Sequence, residues 1–358
     1  MSDTSPTPQG DRIRVLIADD SLVAREMLSQ ILKSDPGIEV VGTAVNGQEA
    51  VDMVARLRPD LITMDVHMPK MDGLEATERI MAYTPTPILV VSSSVHGEGM
   101  GRAFDALAIG ALEVIKKPEP RDWAALEAIG RDIIRRVKIL ARVRVITHIR
   151  GRRAPIHRTE PEQTKASGRR GRVQLVAIGS STGGPSALLN VLGRLRPDFP
   201  LPIVIAQHIA EGFVPGLAAW LDAGCPVKVA AAENGKPVKP GVAYLAATGS
   251  NMEIDGSIMR FTKPLTGQLY IPSADTLFES VARSYGPHAL GVLLTGMGVD
   301  GARGLKQLHD LGATTICQDE ATSTVWGMPR AAIEMGAASA VLPVNDIAAE
   351  IDRVTVSV

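Results

Sequence analysis

Short apolar runs alternate with amphipathic stretches along this chain, in two separate series. In the first series the apolar run IRVLIA precedes the amphipathic stretch SLVAREMLSQILK, and the alternation continues to a last helical stretch near Trp123 to Leu140. Apolar residues at intervals of three and four predict helices, whereas short apolar runs predict buried strands. Strands that alternate with helices are typical of an α/β domain with a parallel sheet. We therefore predict a doubly wound domain of five strands and five helices at residues 11–134.

A second α/β series begins with the apolar run VQLVAIG and continues towards the end of the chain. It predicts a second α/β domain, with a mostly parallel sheet, at residues 172–355. The two series share no motif, which argues against an internal duplication. Between them, residues 135–171 predict a basic linker, because arginine and lysine outnumber acidic residues there. Its composition fits a solvated connector, and docking on an acidic surface or on nucleic acid is the alternative.

Composition and charge narrow the class of protein. A length of 358 residues with 45% hydrophobic residues suggests about two domains. The formal net charge of -1 gives no general attraction to nucleic acid. Cys225 and Cys317 lack CxxC spacing, which argues against a disulfide framework and a cysteine metal site. The sequence has neither a signal-peptide core nor an apolar run of roughly 18 residues, so we expect a cytoplasmic protein without membrane insertion.

Three carboxylates follow predicted strands in the first domain. Asp19 and Asp20 come after the strand VLIA, and Asp65 comes after the strand LITM. The carboxyl ends of such strands meet at one crevice of a doubly wound sheet. A single aspartate there is often only a turn residue or a helix cap, but three together favour Mg²⁺ and phosphoryl transfer to a carboxylate. Ser92 and Lys117, at the ends of later strands, are candidates to contact the phosphoryl oxygens.

The motifs IADDS, MDVHMPKMDG, VVSSS and KKP occur in this order within the first series. In this respect residues 13–134 resemble a response-regulator receiver domain, which has a flavodoxin-like fold. The resemblance implies that a histidine kinase donates a phosphoryl group to Asp65. It also implies a Mg²⁺ ion held by Asp20, Asp65 and the backbone carbonyl of His67, with Asp19 in support.

The same resemblance gives Ser92 the role of the switch hydroxyl and Lys117 that of sensing the phosphoryl charge. His67 is a departure, because many related receivers have an acidic residue at this position. The metal site needs only the carbonyl of His67, so the departure bears on dephosphorylation rate and kinase preference.

The second series opens with a strand, a turn of small residues and a helix, VQLVAIGSSTGGPSALLNVL. This places Ser181 near a helix N-terminus, where backbone amides favour negative charge. A nucleotide site is an alternative, although GSSTGG lacks both GxGxxG spacing and a GK[ST] ending. His208 ends the apolar strand PIVIAQ, and Asp300 lies in the Gly-rich loop GMGVDGA after another strand.

Each of these residues alone has an ordinary structural explanation, but together they form a possible catalytic triad. Ser181 would attack, His208 would accept its proton, and Asp300 would orient the imidazole. Ser180 is the rival nucleophile on spacing alone.

The motifs GSSTGG, AQHIAEGF, LTGMGVDGA and WGMPRAA resemble those of the CheB-type protein-glutamate methylesterases. The resemblance implies hydrolysis of glutamate γ-methyl esters on the cytoplasmic helices of chemoreceptors, and deamidation of receptor glutamines. It implies Thr182 as a further active-site hydroxyl and the amide of Met297 as part of an oxyanion hole. It also implies no cofactor in this domain, and a receiver that covers the catalytic crevice until Asp65 is phosphorylated.

One loop departs from this family, and two other functions stay open. Many members have Arg-Pro-Ser in the loop where this chain has Tyr270-Ile271-Pro272-Ser273, so a cation for an acidic receptor surface is missing. A binding protein without turnover, in which Ser181 only caps a helix, is the first alternative. A regulator that acts on DNA is the second, although no helix-turn-helix pattern supports it.

Overall fold

The computed structural model describes residues 12–93, 98–118, 123–145 and 173–356. The chain divides into two compact units, residues 1–148 and 149–358. Most of the predicted basic linker lies outside the described residues. Within the described ranges no helix is both long enough and apolar enough to cross a bilayer.

The first unit contains a five-stranded parallel sheet. Its strands are β1 (Ile13–Ala18), β2 (Ile38–Ala44), β3 (Leu61–Met64), β4 (Ile88–Ser92) and β5 (Glu113–Lys116). They lie in the order β2-β1-β3-β4-β5, and all neighbouring pairs are parallel. The strand order reverses between β1 and β3, and open α/β sheets bind ligands at the carboxyl ends of strands beside such a reversal. The predicted doubly wound fold is confirmed.

Helices connect these strands. They are α1 (Leu22–Lys33), α2 (Gly47–Leu57), α3 (Gly73–Tyr83), α4 (Glu98–Ile109) and α5 (Trp123–Leu140). Each of the first three follows a cap residue whose side chain accepts a hydrogen bond from an amide of the first turn: Ser21, Asn46 and Asp72. Helix α5 continues past residue 134, where the sequence analysis ends the domain, and its Val137 and Leu140 are buried in the core of this unit.

The second unit contains a seven-stranded sheet and a separate hairpin. The strands of the large sheet are β6 (Leu175–Ser180), β7 (Ile203–Gln207), β8 (Lys228–Ala231), β9 (Val242–Leu245), β12 (Ala289–Leu293), β13 (Thr314–Gln318) and β14 (Ala340–Leu342). Between them in sequence, β10 (Asn251–Asp255) and β11 (Ile258–Thr262) pair antiparallel. The large sheet has the order β14-β13-β12-β6-β7-β9-β8, with every neighbouring pair parallel. The predicted mostly parallel sheet is confirmed.

The strand order of this sheet reverses at β6, which has β7 on one side and β12 on the other. The helices of the unit are α6 (Gly184–Leu192), α7 (Val214–Gly224), α8 (Ala274–Tyr285), α9 (Ala302–Asp310), α10 (Met328–Glu334) and α11 (Val344–Val356). Three of these elements were not predicted from the sequence: α7, β14 and α11. Helix α7 has the sequence VPGLAAWLDAG, whose proline, glycines and small residues blur the helical period.

Candidate functional site

The carboxylates predicted to bind a cation lie together in the first unit. Asp19 and Asp65 follow the neighbouring strands β1 and β3, and the amide of Asp65 donates to the carbonyl of Ala18 at 2.8 Å. One oxygen each of Asp19, Asp20 and Asp65 lies within 4.8 Å of the others. Asp19 and Asp65 are buried, whereas Asp20 is exposed. The cluster therefore concentrates negative charge at the reversal of the strand order.

Lys117 neutralises part of this charge. Its Nζ lies 2.7 Å from Oδ2 of Asp19 and 2.7 Å from Oδ2 of Asp65. Burial would lower the pKa of Lys117, but hydrogen bonding to both carboxylates raises it above its usual value. Burial raises the pKa of Asp19, and the nearby charge of Asp65 adds to this effect. Ser92 is buried at the end of β4, and its carbonyl accepts a hydrogen bond from the Lys117 amide at 2.8 Å.

The loop after Asp65 is fixed because the backbone at Gly73 packs closely against the backbone of Asp65. A Cβ atom on Gly73 would lie 1.9 Å from the carbonyl oxygen of Asp65, so only glycine fits at the start of α3. Asp72 caps this helix and forms an ion pair with Arg102 on α4. His67 is exposed, and its amide lies 3.4 Å from Oδ1 of Asp65.

In the second unit, the predicted nucleophile and base follow neighbouring strands. Ser180 is paired with Gln207 across β6 and β7, so Ser181 and His208 are the first residues beyond this pair. The amide of His208 donates to the carbonyl of Ser180 at 3.0 Å. Parallel pairing therefore places both residues at the carboxyl edge of the sheet, beside the reversal at β6.

Gln207 holds the backbone of both residues in place. Its Nε2 donates to the carbonyls of Ser181 at 2.9 Å and His208 at 2.8 Å, while its Oε1 accepts from the Ser180 hydroxyl at 2.6 Å. Ser180 is fully buried, whereas Ser181 keeps 8% of its surface exposed. The rival nucleophile is thus occupied in a buried hydrogen bond, whereas Ser181 keeps a small exposed surface.

Asp300 lies against the imidazole of His208. Oδ2 of Asp300 is 2.8 Å from Nε2 of His208. The carboxylate also accepts from the Ser273 hydroxyl at 2.8 Å, the Ala274 amide at 2.6 Å and the Asp275 amide at 3.2 Å. These donors form the N-terminus of α8, where the helix dipole favours a negative charge.

Hydrogen bonds and the charge of His208 lower the pKa of Asp300. Burial alone would raise its pKa, but the hydrogen bond and charge of His208, followed by the Ala274 amide and the Ser273 hydroxyl, bring the pKa below its usual value of 3.8. Asp300 is therefore ionised at neutral pH. An ionised acceptor can orient a neutral imidazole and stabilise an imidazolium.

The other ring nitrogen of His208 is directed away from this pair. Its Nδ1 is buried and has no hydrogen-bond partner among the described residues. Tyr270 stacks on one face of the imidazole, with ring centroids 4.8 Å apart and planes 8° from parallel. An unpaired buried nitrogen is costly in a purely structural histidine, and it is expected where a proton must be accepted during a reaction.

The loop after β12 lies beside Ser181. The Ser181 amide donates to the carbonyl of Thr295 at 3.0 Å, and the Thr295 hydroxyl donates to the carbonyl of Thr182 at 3.0 Å. A Cβ on Gly296 would lie 2.7 Å from Cβ of Ser181. The amide of the next residue, Met297, has no acceptor in the part of the chain that the structure describes. It is available to an oxygen atom that develops charge near Ser181.

The structure thus pairs His208 with Asp300 and gathers Lys117 with the carboxylates, but it shows no hydrogen bond between the hydroxyl of Ser181 and His208, two residues that it describes. It also adds supports that were not predicted from the sequence. These are Gln207, Ser273 and Thr295. Ser273 could have been found from the cap pattern, because its hydroxyl also accepts from the Thr276 amide at 3.2 Å. For Gln207 the sequence gives only a weak indication, namely that a polar residue ends an otherwise apolar strand.

Comparisons with known proteins match both units. Residues 176–351 match the family described as CheB methylesterase, and residues 15–126 match the response regulator receiver domain. A protein-glutamate methylesterase/protein-glutamine glutaminase of Anaeromyxobacter dehalogenans is 46% identical over 339 residues, which cover 94% of this chain and 96% of that protein. A relative of the same name from Syntrophus aciditrophicus is also 46% identical, with 94% and 96% covered. The crystal structure of the Thermotoga maritima CheB methylesterase catalytic domain has a TM-score of 0.50 and 35% identity, and it covers 51% of this chain and 99% of that one.

Proposed function

The chain belongs to the family of CheB methylesterases that carry a response regulator receiver domain, and from this membership we propose that Ser181 is the nucleophile of a phosphorylation-controlled protein-glutamate methylesterase. The substrates are glutamate γ-methyl esters on cytoplasmic helices of chemoreceptors, together with receptor glutamines. We assign the receiver to the stretch from residue 11 that includes all of α5, and not only to the predicted residues 11–134, because Val137 and Leu140 belong to its core. The catalytic domain is assigned to residues 172–355, and the basic stretch between the two domains of this cytoplasmic protein is the linker. One observation carries the assignment of the catalytic residues. His208 bonds a buried, ionised Asp300 through Nε2, and its Nδ1 is buried without a partner among the described residues. Ser181 follows the strand next to that of His208.

Acylation follows from the two ring nitrogens. The Ser181 hydroxyl attacks the ester carbonyl carbon while Nδ1 of His208 accepts the hydroxyl proton. The resulting imidazolium is stabilised by Asp300, which stays ionised. His208 then gives the proton to the departing methoxide, so methanol leaves and a serine ester of the glutamate side chain forms. For a glutamine substrate the leaving group is ammonia.

The carbonyl oxygen becomes negative during this attack. The Met297 amide is placed to donate to it, and Thr182 supplies a neighbouring hydroxyl in the same turn as Ser181. Such donors stabilise the oxyanion in the transition state more than the neutral carbonyl. In the second half-reaction His208 accepts a proton from the water that attacks the serine ester, and it returns this proton to Oγ of Ser181 as the acyl bond breaks. The glutamate side chain leaves as the free acid, which ionises, and Ser181 is regenerated.

The receiver controls this activity through Asp65, which accepts a phosphoryl group from a chemotaxis histidine kinase. The donor set fits Mg²⁺, because three carboxylates converge. Within the described residues, the buried Oδ2 of Asp19 has no partner besides the ion pair to Lys117. Asp20, Asp65 and the His67 carbonyl would hold the ion, with Asp19 in support. When bound, Mg²⁺ offsets the charge of the phosphoryl oxygens. Lys117 contacts Asp65 and is positioned to pair with the added phosphoryl group, and Ser92 would donate its hydroxyl to it.

Methanol release from a methylated receptor cytoplasmic fragment tests this proposal. We expect release by the wild type, stimulated by acetyl phosphate with Mg²⁺, and none by Ser181→Ala. Asp65→Ala should keep basal release but lose the stimulation. If folded wild type released no methanol in either state while it bound the fragment, the alternative of a binding protein without turnover would replace the enzyme.

A further inference from the structure

We propose that Tyr270 is a positioning residue for catalysis, which holds the plane of the His208 imidazole so that Nδ1 faces Ser181. The inference rests on the proposed function of Ser181 and His208. Tyr270 is distinct from the catalytic residues, because it touches the base and not the reacting atoms. Its ring lies on the imidazole with centroids 4.8 Å apart and an interplanar angle of 8°.

A second contact is needed because one hydrogen bond leaves the ring free to tilt. Rotation of a histidine ring about its last side-chain bond has broad energy wells. The bond from Nε2 to Asp300 fixes one edge of the ring, but it does not fix the plane. A stacked aromatic ring fixes the plane, and with it the direction of Nδ1.

Tyr270 is itself held firmly. Its carbonyl accepts from Nε2 of Gln268 at 3.0 Å. A Cβ on Gly298 would lie 2.3 Å from the tyrosine hydroxyl oxygen, so the ring rests directly against the backbone of the loop that contains Met297. The stack therefore links the base to the loop that carries the proposed oxyanion donor.

The same short segment also holds Asp300. Oδ1 of Asn251 accepts from Nε2 of Gln268 at 3.0 Å and from the Ser273 amide at 2.9 Å. The Ser273 hydroxyl donates to Asp300 at 2.8 Å. Residues 270–274 thus supply both restraints on His208, Tyr270 on its face and the helix end that orients Asp300 on its edge.

The stack also matches the charge that develops on His208. The imidazole becomes an imidazolium when it accepts the serine proton, and the face of an aromatic ring attracts a cation. The Tyr270 ring covers one face of the imidazole, which limits water access to the His208–Asp300 pair. Both effects act on the transition state, so they are expected to raise kcat without tightening substrate binding.

Replacement by leucine and phenylalanine separates this role from others. In Y270L the flat face is lost, and we expect kcat for receptor-fragment demethylation to fall about tenfold or more with KM within about twofold. Y270F keeps the ring and should retain kcat within about threefold. The rate at which a fluorophosphonate labels Ser181 should follow the same order, and it needs no receptor. Y83L, which removes a tyrosine that is 83% exposed in the other unit, is the matched control.

Nuclear magnetic resonance of the full chain with labelled histidine rings tests the stack itself. The His208 ring signal, assigned with His208→Gln, should be shifted upfield by the Tyr270 ring current in the wild type and Y270F, and should lose this shift in Y270L. A wild type without the upfield shift overturns the proposal whatever the kinetics. If Y270L raised KM alone, Tyr270 would be a substrate contact. If Y270F lost as much kcat as Y270L, the effect would belong to the hydroxyl. If the kinetics of Y270L were unchanged, Tyr270 would have no role in catalysis. If the wild type showed the upfield shift but no turnover, the proposed function would be contradicted, although the contact between Tyr270 and His208 would be confirmed.

Discussion

Oδ2 of Asp300 lies 2.8 Å from Nε2 of His208, while the amide of Ala274 donates to the same oxygen at 2.6 Å. The carboxylate is therefore held from two sides, by a helix N-terminus and by the base that it orients. This arrangement selects the tautomer of His208 that has its proton on Nε2 and leaves Nδ1 as an acceptor.

Asp300→Asn should lower kcat by about 10²- to 10⁴-fold, with a smaller change in KM. If the asparagine oxygen takes the place of Oδ2, its amino group takes the place of Oδ1, where it faces two donors, the Ser273 hydroxyl and the Asp275 amide. The asparagine also no longer stabilises the imidazolium. Steady-state methanol release measures the loss, and a variant within about twofold of wild type would remove Asp300 from the catalytic residues.

The lowered pKa of Asp300 gives a pH dependence of stability with a definite sign. Its pKa in the folded protein is below the usual value of 3.8, so the ionised form is favoured by folding. The stabilisation is present above pH 3.8 and decreases as the pH falls through the folded pKa. The difference in unfolding free energy between wild type and Asp300→Asn should therefore be constant near pH 6 and shrink below pH 3.8. Urea denaturation at several pH values measures it, and a difference that grows with acidity would contradict the assignment.

Replacement of the adjacent residues Ser180 and Ser181 should have different effects, one on stability and the other on turnover. Ser181→Ala should abolish hydrolysis and leave the melting temperature nearly unchanged, because its hydroxyl has no hydrogen bond among the described residues. Ser180→Ala should keep turnover but lower stability by about 1–3 kcal/mol, since Oε1 of Gln207 loses its buried donor. Turnover assays and thermal denaturation of both variants are sufficient. The reverse pattern would identify Ser180 as the nucleophile.

Much of the fold and the proximity of the site residues could be predicted because both depend on short-range patterns. Alternating strands and helices fix a parallel sheet, and a parallel sheet brings residues after neighbouring strands to one edge. Ser181 and His208 follow from this rule alone. Asp300 lies seven residues beyond the end of β12, so its approach to His208 depends on the loop conformation and on α8.

The missed contacts depend on side-chain directions that no periodicity encodes. The sequence placed Tyr270 in a loop where the family differs, but it gave no sign that the ring stacks on His208. Gln207 is the polar last residue of β7. Its hydrogen bonds to Ser180 and Ser181 require that β6 and β7 be neighbours in the sheet. Helix α11 could have been predicted, because Ile347, Ala348 and Ile351 have helical spacing and form a buried stripe.

Gly296→Ala should damage both stability and turnover. The added Cβ would lie 2.2 Å from Sδ of Met328 and 2.7 Å from Cβ of Ser181, so the nucleophile must move. We expect about 1–3 kcal/mol of destabilisation and a fall in kcat. Gly101→Ala is the control, because it lies in helix α4 with nothing within 4 Å of the added atom. It should be neutral or stabilise by about 0.5–1 kcal/mol.

Phosphorylation of Asp65 should require the cation as well as the carboxylate. Asp19, Asp20 and Asp65 would repel an incoming phosphoryl group, and Lys117 supplies only one positive charge against three carboxylates. We therefore expect acetyl phosphate to label the wild type only with Mg²⁺ present, and EDTA to abolish labelling.

Two matched variants complete this experiment. Asp65→Asn should take up no phosphoryl group and should lose stimulated methanol release while it retains the basal rate. Asp52→Asn is the control, since this aspartate lies on α2 and accepts a hydrogen bond from Gln48 at 3.0 Å, outside the cluster. Labelling that survives in Asp65→Asn, or that is unaffected by EDTA, would place the phosphoryl group on another residue. Equal loss in both variants would point to a damaged fold, because the Asp52 substitution leaves every cluster contact in place.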